Sequence, residues 1–298
     1  MSKTIKILLT GKDGQLGKAL ADKIPANFNI IALGRQQLDL SNEEACRQAV
    51  MEHRPDWVLN AGAYTAVDKA ESEPELAMAV NAGAPRAFSQ ALSEIGGRLL
   101  QVSTDFVFNG SQGHPYDCDQ PVDPINVYGA TKAEGERLVQ ETLATTKYCI
   151  LRTSWVYGPV GNNFCVTMLR LHRQKSAQNE TLRVVADQIG CPTSTLNLAK
   201  ACWSVINHEA SGIHHFCDAG AASWYDFALA IGDAGVAAGI INQSAKVVPI
   251  TTSEYPTPAK RPGYSLLDCT TTKKALELDT NQWCKELSVV MEKISKLT

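Results

Sequence analysis

Ile5-Lys6-Ile7-Leu8-Leu9-Thr10-Gly11-Lys12-Asp13-Gly14-Gln15-Leu16-Gly17 is the stretch that indicates the fold class of this chain. Its first five residues predict a short buried strand, the glycines a tight turn, and residues 18–23 a helix. Glycines at 11 and 14 would let the backbone turn and approach a pyrophosphate, and Gly17 would permit close helix–sheet packing. The spacing is Gly-x-x-Gly-x-x-Gly rather than the Gly-x-Gly-x-x-Gly of dinucleotide-binding turns. The position of the turn between a strand and a helix therefore supports the prediction more than the spacing does.

The same order of strand and helix continues through the first half of the chain. Further strands are predicted at residues 29–33, 57–60, 98–102 and 148–153, with a helix from Glu43, for which Ser41 is a plausible N-cap, and a second from Pro74 to Gly96. This alternation predicts an α/β fold, a Rossmann-type doubly wound parallel sheet with helices on both faces. The regular pattern ends after residue 153. We therefore predict an NAD(P)-binding Rossmann domain over residues 1–153 and a smaller, mainly substrate-binding region over 154–298, some elements of which pack back on the first domain.

Composition excludes several classes of function. The 298 residues are 44% hydrophobic and 20% charged with a net charge of −3, and no run of Lys and Arg is interleaved with aromatic residues, which argues against nucleic acid as a partner. No stretch approaches the ~18 consecutive apolar residues of a membrane span. The residues before Ile5 lack the apolar region of a signal peptide, so we predict a cytoplasmic protein.

The nine cysteines and six histidines do not form a recognisable metal or disulfide pattern. The cysteines contain no Cys-x-x-Cys pair, and adjacent His214 and His215 would point to opposite faces of a strand. We therefore predict no metal site from spacing and interpret the cysteines as small hydrophobic residues in a reducing compartment.

A set of residues at the predicted strand ends would bind a dinucleotide. Arg35 stands where an NAD-preferring fold places an acidic residue, and it could pair with a 2′-phosphate, which favours NADPH over NADH. A solvent-exposed arginine with no ligand is the simpler alternative. Asp39 and Leu40 suit an adenine edge. The predicted cofactor-binding residues are Gly11, Gly14, Gln15, Leu16, Gly17, Arg35, Asp39, Leu40, Ala61, Gly62, Ala63, Tyr64, Thr65, Tyr128 and Lys132.

Tyr128 and Lys132 are the candidate catalytic pair. Four residues apart, they share one face of a predicted helix. A lysine ammonium favours the phenolate of a neighbouring tyrosine, so the pair could exchange a proton near neutral pH. Thr104, at the end of a predicted strand, could donate a hydrogen bond to a substrate oxygen. Alone, Thr104 would be better explained as a turn or cap residue, and the Tyr–Lys spacing also arises by chance.

These motifs together resemble the short-chain dehydrogenase/reductase superfamily in its extended form acting on nucleotide sugars, and within it the dTDP-4-dehydrorhamnose reductase family. The resemblance covers nearly the whole chain: the Gly11 turn and residues 60–71, 103–108, 126–132, 152–157, 161–164, 187–193 and 256–262. It implies that Thr104, Tyr128 and Lys132 are catalytic. It also implies a substrate site of Val67, Thr104, Asp105, Phe106, Trp155, Asn163 and Arg261.

The resemblance implies reduction of the C4 ketone of a dTDP-sugar by NADPH, with NADH as the alternative cofactor. Phe106 stands where many members have tyrosine. Asp105 is followed by Phe106 rather than by a second acidic residue, which weighs against the alternative of a dehydratase or epimerase. A second alternative is a non-catalytic nucleotide-binding regulatory subunit, like the relative that binds methionine adenosyltransferase. The resemblance leaves open whether magnesium is bound and whether the protein forms a homodimer.

Overall fold

The computed structural model describes residues 4–279 and 281–297. Its strands are β1 (Ile5–Thr10), β2 (Phe28–Leu33), β3 (Trp57–Asn60), β4 (Arg98–Thr104), β5 (Tyr148–Thr153), β6 (Val156–Tyr157), β7 (Leu182–Val185), β8 (Ile189–Gly190), β9 (Thr193–Ser194), β10 (Gly212–His215), β11 (Ala222–Ser223) and β12 (Val247–Ile250). Its α-helices are α1 (Gln15–Asp22), α2 (Glu43–His53), α3 (Val67–Ala70), α4 (Pro74–Met78), α5 (Ala84–Ile95), α6 (Val127–Thr142), α7 (Phe164–Ala177), α8 (Thr195–Asn207), α9 (Trp224–Ala237), α10 (Thr270–Ala275) and α11 (Trp283–Ser295).

A six-stranded parallel sheet in the order β10-β5-β4-β3-β1-β2 organises the molecule. Successive residues of its strands point to opposite faces: Ile7 and Leu9 of β1 pack into one core, and Leu8 into the other. Helices α1 and α8 pair on the first face, and α2, α5 and α6 lie together on the second. The predicted doubly wound α/β fold is confirmed.

Two elements from the second half of the chain belong to this sheet layer. Strand β10 pairs with β5 at one edge of the sheet, and α8 packs against α1. A separate apolar core forms around α7, α9 and α11. The division at residue 153 stays a prediction. Helix α8 and strand β10, although they follow residue 153, belong to the layers of the parallel sheet.

The boundaries differ from the sequence predictions in ways that matter for the site. Helix α1 begins at Gln15, directly after the second glycine of the turn, and β4 continues through Thr104. Asn42, not Ser41, caps α2, because its side chain accepts a hydrogen bond from the Ala45 amide at 3.0 Å. Ser41 instead donates its hydroxyl to Asp39. The helix predicted from Pro74 to Gly96 is interrupted by a π-helical turn over Ala79–Gly83.

Helix α6, which carries Tyr128 and Lys132, is attached to the sheet by a buried ion pair. The Arg152 guanidinium of β5 reaches Glu136 of α6 at 2.7 Å, and both side chains are 2% exposed. Ser103 of β4 donates its hydroxyl to Glu136 at 2.5 Å. Arg152 also lies 3.3 Å from His215 Nε2, so β4, β5, β10 and α6 meet in one polar network inside the core.

None of the described helices is both long and apolar enough to cross a membrane. Residues 1–3, on which part of the signal-peptide prediction depends, lie outside the described residues.

We expect Glu136→Gln to lower the free energy of unfolding by roughly 3–5 kcal/mol, because it leaves the Arg152 charge unpaired in the core. Chemical denaturation followed by circular dichroism measures this change. The matched control is Glu94→Gln, which breaks the exposed pair with Arg47 and should cost less than about 1 kcal/mol. Equal losses in the two variants would contradict a structural role for the buried pair.

Candidate active site

A cavity of about 920 Å³ opens at the carboxyl ends of β1, β3 and β4. Ligands of open α/β sheets bind at this edge, because loops there diverge to opposite faces. Of the predicted cofactor-binding residues, those on the cavity wall are Gly11, Gly14, Gln15, Leu16, Arg35, Asp39, Leu40, Ala61, Gly62, Ala63, Tyr64, Thr65, Tyr128 and Lys132. The structure thus brings together residues that lie up to 121 positions apart in the chain, from Gly11 to Lys132.

The glycine turn has the geometry that a pyrophosphate requires. Gly11 has a φ of +68°, and a Cβ there would lie 2.7 Å from Gly62 Cα, so no side chain fits. Helix α1 follows with no side-chain cap, which leaves its first backbone N–H groups available to an anion. Gly17 does not line the cavity. A Cβ on Gly17 would overlap the carbonyl oxygen of Gly11, so this glycine lets the helix pack on the turn itself.

The other end of the cavity holds Arg35 and Asp39. The backbone N–H and the hydroxyl of Ser41 donate to Asp39 Oδ1 at 3.0 and 2.9 Å, and these bonds lower the pKa of Asp39. Leu40 packs its side chain against Gly62, where a Cβ would come within 2.5 Å of Leu40 Cδ1. A charged edge and an apolar surface therefore lie side by side at the predicted adenosine end.

The predicted catalytic residues meet on the cavity wall. Helix α6 begins at an Asn126 cap, which accepts from the Gly129 amide at 2.7 Å, and it turns both Tyr128 and Lys132 toward the cavity. Lys132 Nζ donates to the Val102 carbonyl at 2.7 Å, and an ammonium has two further hydrogens for a ligand. Thr104, the last residue of β4, donates its hydroxyl to Asp105 Oδ1 at 3.0 Å.

Burial dominates the proton equilibria of the catalytic pair. It raises the pKa of Tyr128 to about 12, against a hydrogen bond with Thr104 that lowers it. Burial also lowers the pKa of Lys132 to about 8, although the nearby Glu136 charge opposes this. Lys132 is not among the groups that shift the pKa of Tyr128 in this structure, so the expectation that it lowers this pKa is not met, and burial sets the direction. Tyr128 is therefore protonated at neutral pH, as a proton donor must be.

Asp105 is a carboxyl group inside the cavity wall and only 2% exposed. Burial raises its pKa to about 6, although hydrogen bonds from Ser265 and Thr104 favour the ionised form. Its charge therefore changes in the range where many enzymes work.

The predicted substrate residues divide into two groups. Thr104, Asp105 and Trp155 line the cavity, and the Trp155 ring stacks on Trp224 with centroids 3.5 Å apart. The remaining four lie off its wall: Val67, Phe106, Asn163 and Arg261.

These four residues have other partners in this structure. Arg261 pairs with Asp68 at 2.8 Å. The Phe106 ring meets the edge of Tyr128, with centroids 5.7 Å apart. Asn163 caps α7 and donates to Gln15 at 3.3 Å, which links the start of α7 to the start of α1, directly after the glycine turn. Their roles as substrate ligands stay predictions.

Sequence reasoning missed Asn81, which positions two parts of the site. Its amide accepts from the Tyr64 N–H at 2.9 Å and donates to the Tyr64 carbonyl and to Thr131 Oγ1, each at 3.1 Å. It thereby joins the loop after β3 to helix α6. The available signal was an amide inside an otherwise apolar helical segment, at the place where the π-helical turn forms.

Comparison with known proteins identifies the family. The model of the RmlD substrate binding domain matches residues 5–296. The chain belongs to the RmlD substrate binding domain family. It is 39% identical to a dTDP-4-dehydrorhamnose reductase of Salmonella typhimurium, with 94% of each chain covered.

Two crystal structures show the same RmlD architecture. The first is a dTDP-4-dehydrorhamnose reductase of Bacillus anthracis in complex with NADP, with a TM-score of 0.89, 35% identity and coverage of 97% of this chain and 99% of that one. The second is a dTDP-4-dehydrorhamnose reductase of Clostridium acetobutylicum, with a TM-score of 0.88, 38% identity and the same coverage.

We expect Asp105→Asn to change the pH dependence of stability. The folded pKa of Asp105 lies near 6, above the ordinary 3.8, so its stabilising contribution is present at pH 4 and is lost as pH rises through 6. The free energy of unfolding of the variant, relative to that of the wild type, should therefore rise by up to about 3 kcal/mol from pH 4 to pH 8. Urea denaturation at both values measures this, with the exposed Asp119→Asn as control. A difference independent of pH would contradict the buried titration.

Proposed function

We propose that this protein is an oxidoreductase that reduces the C4 ketone of dTDP-4-dehydro-L-rhamnose to dTDP-L-rhamnose with NADPH, the last step of dTDP-rhamnose biosynthesis. The observation that carries the proposal is the meeting of Tyr128, Lys132 and Thr104 on the same cavity wall as the glycine turn. The names of the relatives and the NADP complex of one of them agree with it.

The residues on the cavity wall would supply the groups that a dinucleotide needs. The side-chain-free turn at Gly11 and the uncapped start of α1 would hold the pyrophosphate, and Arg35 would hold a 2′-phosphate. Lys132 Nζ keeps two hydrogens for the hydroxyls of the nicotinamide ribose, since the Val102 carbonyl takes one. These residues favour NADPH, with NADH as the weaker cofactor.

Each catalytic residue has a defined task. NADPH, when bound, supplies the hydride for C4. Tyr128 donates its phenolic proton to the ketone oxygen as negative charge develops there, and its high pKa keeps that proton in place beforehand. Thr104 turns its hydroxyl from Asp105 to the same oxygen, which stabilises the transition state more than the ground state. The Lys132 ammonium stabilises the tyrosinate left after proton transfer.

The sugar nucleotide would lie between the catalytic residues and the stacked tryptophans. The Trp155 ring, which packs against Trp224 and Gly190, adds apolar surface to the cavity wall, and Asp105 offers an acceptor for a sugar hydroxyl. Val67, Phe106 and Asn163 would complete the pocket. Arg261 would exchange Asp68 for a substrate phosphate, which its planar guanidinium can bind with two hydrogen bonds.

The alternatives have weaker support. A dehydratase would need a second acidic group beside Asp105, and Phe106 occupies that position. A purely regulatory subunit would not need the complete set of Tyr128, Lys132 and Thr104. Within the described residues, no three His, Cys, Asp or Glu side chains converge as metal ligands, so the proposal gives magnesium no task.

We expect Tyr128→Phe to lower kcat by about 10²- to 10⁴-fold, because the variant lacks the general acid. Loss of NADPH absorbance with dTDP-4-dehydro-L-rhamnose measures turnover, and calorimetry should show that NADPH still binds. The exposed Tyr255→Phe serves as control and should keep full activity. Full turnover by Tyr128→Phe would refute the catalytic assignment. NADPH binding by the wild type without turnover of any 4-keto sugar nucleotide would favour the regulatory alternative.

We expect Arg35→Gln to raise the KM for NADPH by roughly 10- to 100-fold and to leave that for NADH nearly unchanged, since one charge-assisted hydrogen bond contributes about 1.5–3 kcal/mol. Steady-state kinetics with both cofactors measures the ratio. Arg170→Gln, an exposed change on α7, controls for net charge. Equal changes for both cofactors would show that Arg35 does not recognise the 2′-phosphate.

A further inference from the structure

A second cavity, of about 510 Å³, is lined by three cysteines that the reaction does not use. It lies where the segment after β10, the residue after β8 and the start of α10 converge. Cys191, Cys217 and Cys269 contribute to its wall, together with Lys273 and Lys274. Because the cavity opens to solvent, small solutes can reach sulfur atoms whose residues are otherwise buried.

Cys217 and Cys269 form a matched pair across this cavity. The Cys217 amide N donates to Cys269 Sγ at 3.2 Å, and the two thiols lie close enough to shift each other's pKa. Cys191 is engaged differently, since its thiol donates to the Asp218 carbonyl at 3.1 Å. Cys269, whose sulfur lies 3.2 Å from the Cys217 amide nitrogen, is therefore the partner for Cys217, and a disulfide would need the two sulfur atoms to approach each other.

The surroundings of Cys217 favour its thiolate. Burial alone raises the pKa of this thiol, yet its side-chain contacts with Cys269, Ser154 and Thr193 outweigh burial and lower the pKa below its usual value. The Ser154 hydroxyl lies 3.1 Å from Cys217 Sγ. The pKa of Cys269 is raised, chiefly by its hydrogen bond to Cys217, so Cys269 keeps its proton and Cys217 is the nucleophile of the pair.

We propose that Cys217 and Cys269 are a redox-active dithiol, in which a peroxide entering through the second cavity forms a reversible disulfide. The Cys217 thiol releases its proton, the thiolate attacks one peroxide oxygen, the O–O bond breaks, and the leaving hydroxide takes up that proton and becomes water. The resulting Cys217 sulfenic acid is attacked by the Cys269 sulfur, which loses its proton as a second water leaves. Two thiols lose two electrons and one peroxide gains them.

Oxidation of Cys217 would change the active site by changing the contacts of Ser154. This residue lines the large cavity beside Trp155, and its hydroxyl contacts both Cys217 Sγ and the Cys191 carbonyl, the latter at 2.7 Å. A disulfide draws Cys217 Sγ toward Cys269 and removes one of these contacts. Since small displacements of substrate-positioning groups are costly to the rate, we expect disulfide formation to lower turnover by roughly tenfold.

The test is peptide mapping of the full-length protein after treatment with hydrogen peroxide. Free thiols are alkylated in denaturant before digestion, and fragment ions locate the linked sulfurs, because Cys202 and Cys217 share a tryptic peptide. We expect a cross-link between Cys217 and Cys269 that dithiothreitol reverses. It should persist in Cys191→Ala, a matched change on the same cavity wall, and be absent from Cys269→Ala, with circular dichroism confirming that both variants fold.

Two results would overturn the proposal. One is a cross-link from Cys217 to Cys191 instead of to Cys269. The other is full alkylation of Cys217 and Cys269 after a peroxide dose that oxidises the exposed Cys284. The mass readout does not depend on the proposed reductase function. The loss of turnover rests on that function and should be absent from peroxide-treated Cys269→Ala, whereas equal inactivation of that variant would show that oxidation elsewhere is responsible.

Discussion

The buried ion pair between Arg152 and Glu136 is the constraint on which the rest of the structure depends. Both side chains are inside the core, and His215 on the neighbouring strand completes the network at 3.3 Å. A charge in this environment cannot lose its partner without a large cost, so α6 has one favourable rotation against the sheet. That rotation turns Lys132 and Tyr128, one and two helical turns before Glu136, into the cavity.

Close backbone contacts enclose the candidate site, and this burial shifts the pKa values of its ionisable groups. A Cβ at Gly135 would overlap the Asn81 carbonyl, and one at Gly129 would overlap the Phe106 carbonyl, so α6 packs directly on its neighbours. Groups enclosed in this way lose water, which favours their neutral forms. Burial therefore raises the pKa of Tyr128 and keeps it a proton donor. Burial also lowers the pKa of Lys132 to about 8, and the nearby Glu136 charge opposes this shift.

Local pattern predicted most of the sheet and part of the site. The apolar runs located β1, β3 and β5 to within one residue, because buried parallel strands are continuously apolar and end at turn residues. The glycine turn and the spacing of Tyr128 and Lys132 likewise depend on neighbours in the chain. The sequence pattern did not predict the N-cap of α2, because two adjacent residues could both cap the helix and Asn42 does so rather than Ser41. It also could not place β10, whose partner β5 lies far away in the chain.

The sequence by itself determined the fold class, and it predicted the glycine turn and a candidate proton donor, because these depend on residue type and short-range spacing. Only the tertiary structure decided which groups share an environment. Burial, which no local pattern reveals, raises the pKa of Tyr128, whereas the sequence pattern predicted that Lys132 would lower it. Chain folding also brought Cys217 to Cys269, 52 residues away, and Asn81 to the catalytic helix, because contacts between distant segments depend on how whole layers pack.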